Sequence, residues 1–120
     1  MVTRIFIADD SEIVRGIIRS LLERMPNVEI CGEAADGRQT IDAALALQPD
    51  LLILDVMMPE FNGIEVATIL KKSLPNTKTI LFTLYGDFIK GLALASGVNA
   101  VVSKSDGLAP LLGALESLQN

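Results

Sequence analysis

Two stretches of the chain, Ile5–Ala8 and Leu51–Leu54, are apolar without alternation, and each runs straight into aspartate. A strand with one face in water alternates apolar and polar residues; an unbroken apolar run suits a strand covered on both faces. Such strands are joined by helices that lie over the sheet, and the rest of the chain supplies them. After Ile5–Ala8, the residues Ile13, Val14, Ile17, Ile18, Leu21 and Leu22 recur at helical spacing. Glu12, Arg15, Arg19, Glu23 and Arg24 form the opposite face, and Pro26 stops the run. A second short strand is expected at 28–31. Asp36 with Gln39 three residues on has the form of a capping box, opening an Ala-rich helix that ends before Pro49.

The alternation continues beyond Leu54. A helix is expected over Ile64–Lys72, a strand over Thr79–Phe82, and a helix from Phe88 to Ala95 closed by Gly97. A strand over Ala100–Val102 follows, then a last helix opening near Pro110 and running through Leu118. Five strands alternating with five helices imply an α/β fold with a doubly wound parallel sheet. Right-handed crossovers leave few arrangements, and the flavodoxin-like (βα)5 order 2-1-3-4-5 is the common one at this length. No repeat or linker interrupts residues 1–120, so the chain reads as one domain, long enough to build an aliphatic core unaided.

Composition closes several routes. Half the residues are apolar, there is no Trp and no His, and the formal net charge is −5. A surface for nucleic acid needs clustered Lys and Arg, so direct nucleic-acid binding by this domain is not expected. Without histidine, the chain offers no imidazole base, metal ligand or phosphohistidine. The one cysteine, Cys31, sits between apolar residues and reads as an inert core thiol, which fits a reducing cytoplasm. No apolar run approaches the ~20 residues that span a bilayer, so no membrane role is expected.

The topology gives Asp55 a second meaning. On its own, an aspartate after a buried strand is a strand-ending residue that accepts a loop hydrogen bond. In a parallel sheet, however, every strand ends at one edge, and ligands bind there at the switch point. Asp9 and Asp10 end the first strand, Asp55 the third, Thr83 the fourth, and Lys104 follows the fifth. Each has a plain alternative: helix caps for Asp9 and Asp10, a strand residue for Thr83, a solvated lysine for Lys104. Their joint arrival at one edge favours a shared site. Three converging carboxylates repel, raising a pKa unless a cation intervenes. Oxygen donors alone suit a hard ion such as Mg²⁺. With a hydroxyl and an ammonium added, the set suits a phosphoryl group on Asp55.

At these separations the motifs IADDS (7–11), LILDVMMPEFNG (52–63), LFTLYG (81–86) and VVSKS (101–105) resemble the receiver domains of two-component response regulators. GEAADG and LFTLYGD are most similar to receivers of the NarL/LuxR type. The resemblance implies that Asp55 is the phosphoacceptor and that Asp9 and Asp10 bind Mg²⁺ with Asp55 and the backbone carbonyl of Met57. It implies Thr83 as the switch hydroxyl and Lys104 as the phosphoryl partner. A sensor histidine kinase would supply the phosphoryl group. Transcription would be controlled through a C-terminal DNA-binding domain, absent from these residues. A stand-alone or scaffold-only receiver is the alternative.

Two positions depart from the family pattern. Val101 stands where many receivers carry a rotating aromatic, and Ser105 where many carry proline, so a cis bond there is not assumed. An aspartyl-phosphate phosphatase of the haloacid-dehalogenase kind needs an acid two residues after the nucleophile, where Met57 stands. A flavin carrier needs a hydroxyl-rich loop after the first strand, where DDSE would repel phosphate. The fourth helix is apolar nearly all round, with Gly91 inside it, and the last helix carries Leu108, Leu111, Leu112, Leu115 and Leu118. These helices with the fifth strand are expected to form a homodimer surface; helices one and five are the second choice.

Overall fold

The computed structural model describes residues 1–119. Five strands, β1 (Thr3–Ala8), β2 (Val28–Ala34), β3 (Leu51–Leu54), β4 (Lys78–Thr83) and β5 (Ala100–Ser103), form one parallel sheet in the order β2-β1-β3-β4-β5. Five helices connect and follow them: α1 (Glu12–Glu23), α2 (Gly37–Leu47), α3 (Gly63–Ser73), α4 (Gly86–Ala95) and α5 (Ala109–Leu118), with a short 3-10 turn at Lys104–Asp106 before α5. The flavodoxin-like arrangement expected from the alternation is the one found.

The unbroken apolar runs are explained by two cores. Alternate side chains leave opposite faces of a strand. Ile5, Ile7, Leu51, Ile53, Ile80 and Phe82 pack with Ile18 and Leu22 of α1 and Leu111 and Leu115 of α5. Phe6, Ala8, Leu52, Leu54 and Leu81 pack with residues of α2, α3 and α4, among them Ala44, Val66, Leu70 and Ala93. Burying a side chain of this size contributes ~1.5–3 kcal/mol. Among the described residues, no helix is long and apolar enough to cross a membrane.

Several element boundaries differ from expectation. β2 continues to Ala34 because its register steps between Ile5 and Phe6: Ile5 pairs with Ile30 and Phe6 with Gly32, leaving Cys31 as the extra residue. Gly32 is needed there, since a Cβ would lie 2.8 Å from the Phe6 ring. Cys31 is half-buried, its Sγ donates to the Ile5 carbonyl at 3.5 Å, and burial pushes its thiol pKa up. α4 begins at Gly86 rather than Phe88, with no side-chain cap. The last helix is not apolar all round at the surface. Leu111 and Leu115 are fully buried and Leu108, Leu112 and Leu118 are half-buried. All peptide bonds among the described residues are trans.

Candidate functional site

The carboxyl edge of the sheet collects the acids. β1 and β3 are direct neighbours, Ala8 pairing with Leu54, so Asp9 and Asp55 leave the sheet side by side. The Asp55 N–H donates to the Ala8 carbonyl at 2.9 Å, continuing the ladder one residue past the strand. Asp9 and Asp55 are buried and Asp10 is exposed; one carboxylate oxygen from each lies within 4.8 Å of the others. Helix capping does not account for the acidic pair. Ser11 is the N-cap of α1, accepting from the Val14 N–H, while Asp9 Oδ1 accepts from the Ser11 N–H at 2.9 Å.

Lys104 comes from the other end of the chain into this cluster. Its Nζ donates to Asp9 Oδ2 at 2.7 Å and to Asp55 Oδ2 at 3.0 Å, and its side chain is 15% exposed. It is therefore not a solvated lysine. The second oxygen of Asp55, Oδ1, accepts from the Val56 N–H at 2.7 Å. Repulsion among the acids contributes to the raised Asp9 pKa, as expected, but is not its main cause. Burial pushes the Asp9 pKa up, opposed by the Lys104 bond and the Ser11 N–H, with the Asp55 charge a lesser contributor. Burial alone would lower the Lys104 pKa, but its two carboxylate bonds outweigh this and hold the ammonium charged.

Asp9, Asp10, Ser11, Val14, Asp55, Met57, Leu84, Tyr85 and Lys104 line an opening of about 530 Å³. Thr83 ends β4 as expected but is fully buried and absent from that lining; its Oγ1 accepts from the Tyr85 N–H at 3.3 Å. Met57 is at the rim and exposed. The floor is tight. A Cβ on Gly63 would fall 2.1 Å from the Asp55 carbonyl oxygen, and the Gly63 N–H donates to the Val56 carbonyl at 2.9 Å. α3 starts from that point, secured by a capping box between Asn62 and Glu65. The oxygen-only donors, clustered and partly buried, fit a hard divalent cation such as Mg²⁺.

A charged group behind the site was not anticipated. Arg15 and Arg19, expected on the solvent face of α1, both turn toward Glu33 of β2. Arg19 binds it with two prongs, Nε at 2.7 Å and Nη2 at 2.8 Å. Those bonds, foremost the one from Arg19, hold the Glu33 carboxyl below its usual value against the opposing effect of burial. A depressed folded-state pKa means stability that is present above the unfolded pKa and lost as the pH falls through the folded one. Glu33→Gln is therefore expected to lower stability at pH 7, by less than ~1 kcal/mol because Glu33 and its arginines stay partly open to solvent. The gap from wild type should begin to narrow as the pH falls below the ordinary glutamate range and close once it has fallen through the depressed value. Urea unfolding of both proteins at pH 7 and pH 3 checks this.

Known proteins match this arrangement. Residues 5–116 match the family described as the response regulator receiver domain. The response regulator protein VraR of Staphylococcus saprophyticus is 32% identical over 121 residues, covering 100% of this chain and 58% of that protein. VraR of Staphylococcus epidermidis is 34% identical over 116 residues, covering 96% of this chain and 56% of its own length. The chain thus spans about half the length of the curated relatives it matches. Among solved structures, the isolated receiver domain of RcsB from Salmonella enterica serovar Typhimurium, with the phosphomimetic BeF3−, superposes with a TM-score of 0.92 at 29% identity, covering 99% of this chain and 89% of that one. The response regulator domain of Thermotoga maritima CheB gives 0.88 at 28%, covering 99% and 95%. With two buried aspartates and a lysine meeting at the sheet edge, and with these relatives, the chain belongs to the response-regulator receiver domain family of two-component signalling.

Proposed function

We propose that Asp55 is the phosphoacceptor of this receiver, and that Asp9, Asp10, Asp55 and the Met57 carbonyl hold Mg²⁺ for the transfer. The observation that supports this reading best is Lys104 Nζ bonded to both Asp9 and Asp55 at the mouth of an acidic opening. Receiver domains take the phosphoryl group from histidine kinases, and this chain has no histidine with which to phosphorylate itself. An Asp55 carboxylate oxygen attacks phosphorus, the bond from phosphorus to the kinase imidazole breaks, and its electron pair leaves with that nitrogen. When bound, Mg²⁺ offsets the repulsion between the phosphoryl oxygens and the carboxylates. Asp55 is freed as nucleophile when Lys104 exchanges its Oδ2 bond for a phosphoryl oxygen. Thr83 serves as the switch by giving up its bond from Tyr85 and turning toward the phosphoryl group, which draws the β4–α4 loop with it. The domain assists its own phosphorylation without being an independent enzyme. Incubation with acetyl phosphate, with Mg²⁺ or with EDTA, followed by intact-mass measurement, tests the reading. Equal incorporation in both arms would remove the metal from it.

The output surface proposed is the α4 side, pairing with a second receiver. Phe88 is 89% exposed and Leu92 62%, with Leu84, Tyr85 and Leu94 also exposed, so α4 presents apolar groups that its own core does not use. Gly91 lies in open space within this helix and lowers its stability by ~1 kcal/mol relative to Ala, so a modest pull can shift it. α5 contributes less than its sequence suggested, since its leucines are largely core. Ile13 and Ile17 of α1 are exposed, and Ile17 shares an apolar recess with Leu108, which supports the second surface. The matched RcsB structures include one of two RcsB dimers bound to DNA. We read the output here as transcriptional, through a DNA-binding domain following the receiver. Beryllofluoride is expected to raise the sedimenting mass, with Leu92→Arg reducing dimer affinity at least ~10-fold and Ile17→Arg having little effect. The reverse ranking would move the interface to α1.

A further inference from the structure

The turn between β1 and α1 supplies two of the three clustered carboxylates, and Arg15 holds that turn from behind. Arg15 Nη1 donates to the main-chain carbonyl of Asp9 at 2.6 Å, and its side chain is 17% exposed. Arg15 Nε also lies 3.4 Å from Glu33 Oε1, while Arg19 grips the same carboxylate with two prongs. The helix itself does not require this arrangement. Ser11 caps α1, the Arg15 N–H already donates to the Ser11 carbonyl, and Arg19 alone suffices to pair Glu33.

Every polar group of Asp9 is thereby engaged. Its N–H donates to the Ala34 carbonyl, Oδ1 accepts from Ser11, Oδ2 from Lys104, and the carbonyl from Arg15. That carbonyl belongs to the planar peptide joining Asp9 to Asp10, so fixing it fixes the direction in which Asp10 leaves the turn. Asp10 needs such help, because no side chain among the described residues hydrogen-bonds its exposed carboxylate. We infer that Arg15, anchored on Glu33, is a positioning residue that sets the Asp9–Asp10 peptide plane and so aims Asp10 at the Asp9–Asp55 pair. A charged bond to the backbone beside a ligand is the kind of outer contact that tunes metal affinity by orientation. The inference rests on the reading of Asp9, Asp10 and Asp55 as Mg²⁺ ligands.

Calorimetric titration of Mg²⁺ into the whole chain tests it, paired with the Mg²⁺ dependence of phosphorylation by acetyl phosphate. Arg15→Ala is expected to weaken Mg²⁺ binding about 10-fold, most of the lost rate returning when Mg²⁺ is raised. Arg15→Lys, which keeps one donor, should restore part of the affinity. Glu33→Ala, which leaves Arg15 in place but removes its anchor, should fall between wild type and Arg15→Ala, and it decides the matter if Arg15→Ala does not fold. A general loss of packing would instead lower the rate at every Mg²⁺ concentration. That result, or wild-type affinity in Arg15→Ala, overturns the inference while leaving the metal site standing. Absence of Mg²⁺ binding by wild type overturns the metal site, and the inference with it.

Discussion

Asp55→Asn is expected to abolish phosphoryl incorporation from acetyl phosphate while leaving the domain folded. A neutral amide is not a competent nucleophile toward phosphorus, and no second carboxylate replaces it: Asp9 is fully buried and Asp10 is at the rim. The fold should tolerate the change because Oδ1 can still accept the Val56 N–H. In that orientation the amide nitrogen faces Lys104 Nζ, a donor against a donor, so Lys104 keeps only its bond to Asp9. Removing one of three clustered charges relieves repulsion and offsets part of that loss. Intact-mass measurement should show no adduct, with a thermal midpoint close to that of wild type. An adduct of wild-type yield would place the phosphoryl group on another residue.

Gly63→Ala is expected to cost at least ~3 kcal/mol and to weaken Mg²⁺ binding with it. A Cβ there meets the Asp55 carbonyl oxygen at 2.1 Å and its carbon at 2.9 Å, and both are backbone atoms. Backbone cannot rotate aside as a side chain does, so either β3 shifts at Asp55 or α3 tilts away from its capped start. Either movement displaces Asp55. Gly91→Ala is the control. Nothing lies near its Cβ, and the change should stabilise α4 by up to ~1 kcal/mol. Urea unfolding with and without Mg²⁺ separates the two, and equal stability of Gly63→Ala and wild type would mean the turn relaxes freely.

The strands were legible wherever burial on both faces left an unbroken apolar run, as at Leu51–Leu54, and the edge they share made the acids legible in turn. Lys104 could be placed only through topology, since nothing local distinguishes it from a surface lysine. The extension of β2 escaped because Gly32 reads as a break, whereas it is small to admit the Phe6 ring beside a bulge. Arg15 escaped for a different reason. Helical periodicity sorts residues by hydrophobicity and sent it to the solvent face, yet its role lies in reaching a carbonyl, which no residue pattern encodes. An arginine one turn into a helix that follows an acidic turn is the signal that was available. The leucines of α5 divide between core and partial exposure in a way the sequence does not show, because periodicity tells how much of a helix is apolar, not how much a sheet face covers.

The site has one further consequence, for the chain as it is made. Asp9, Asp55 and Lys104 meet only when β1, β3 and the segment after β5 have come together, and the bond from Lys104 to Asp9 closes a separation of 95 residues. A chain emerging from the ribosome with β1 and β3 already paired carries the clustered acids without the ammonium that bridges them. Contacts this distant form after the local ones, because closing the loop must precede any gain from the contact. Until the last quarter of the domain is in place, the set of residues proposed to receive the phosphoryl group lacks its ammonium and is incomplete.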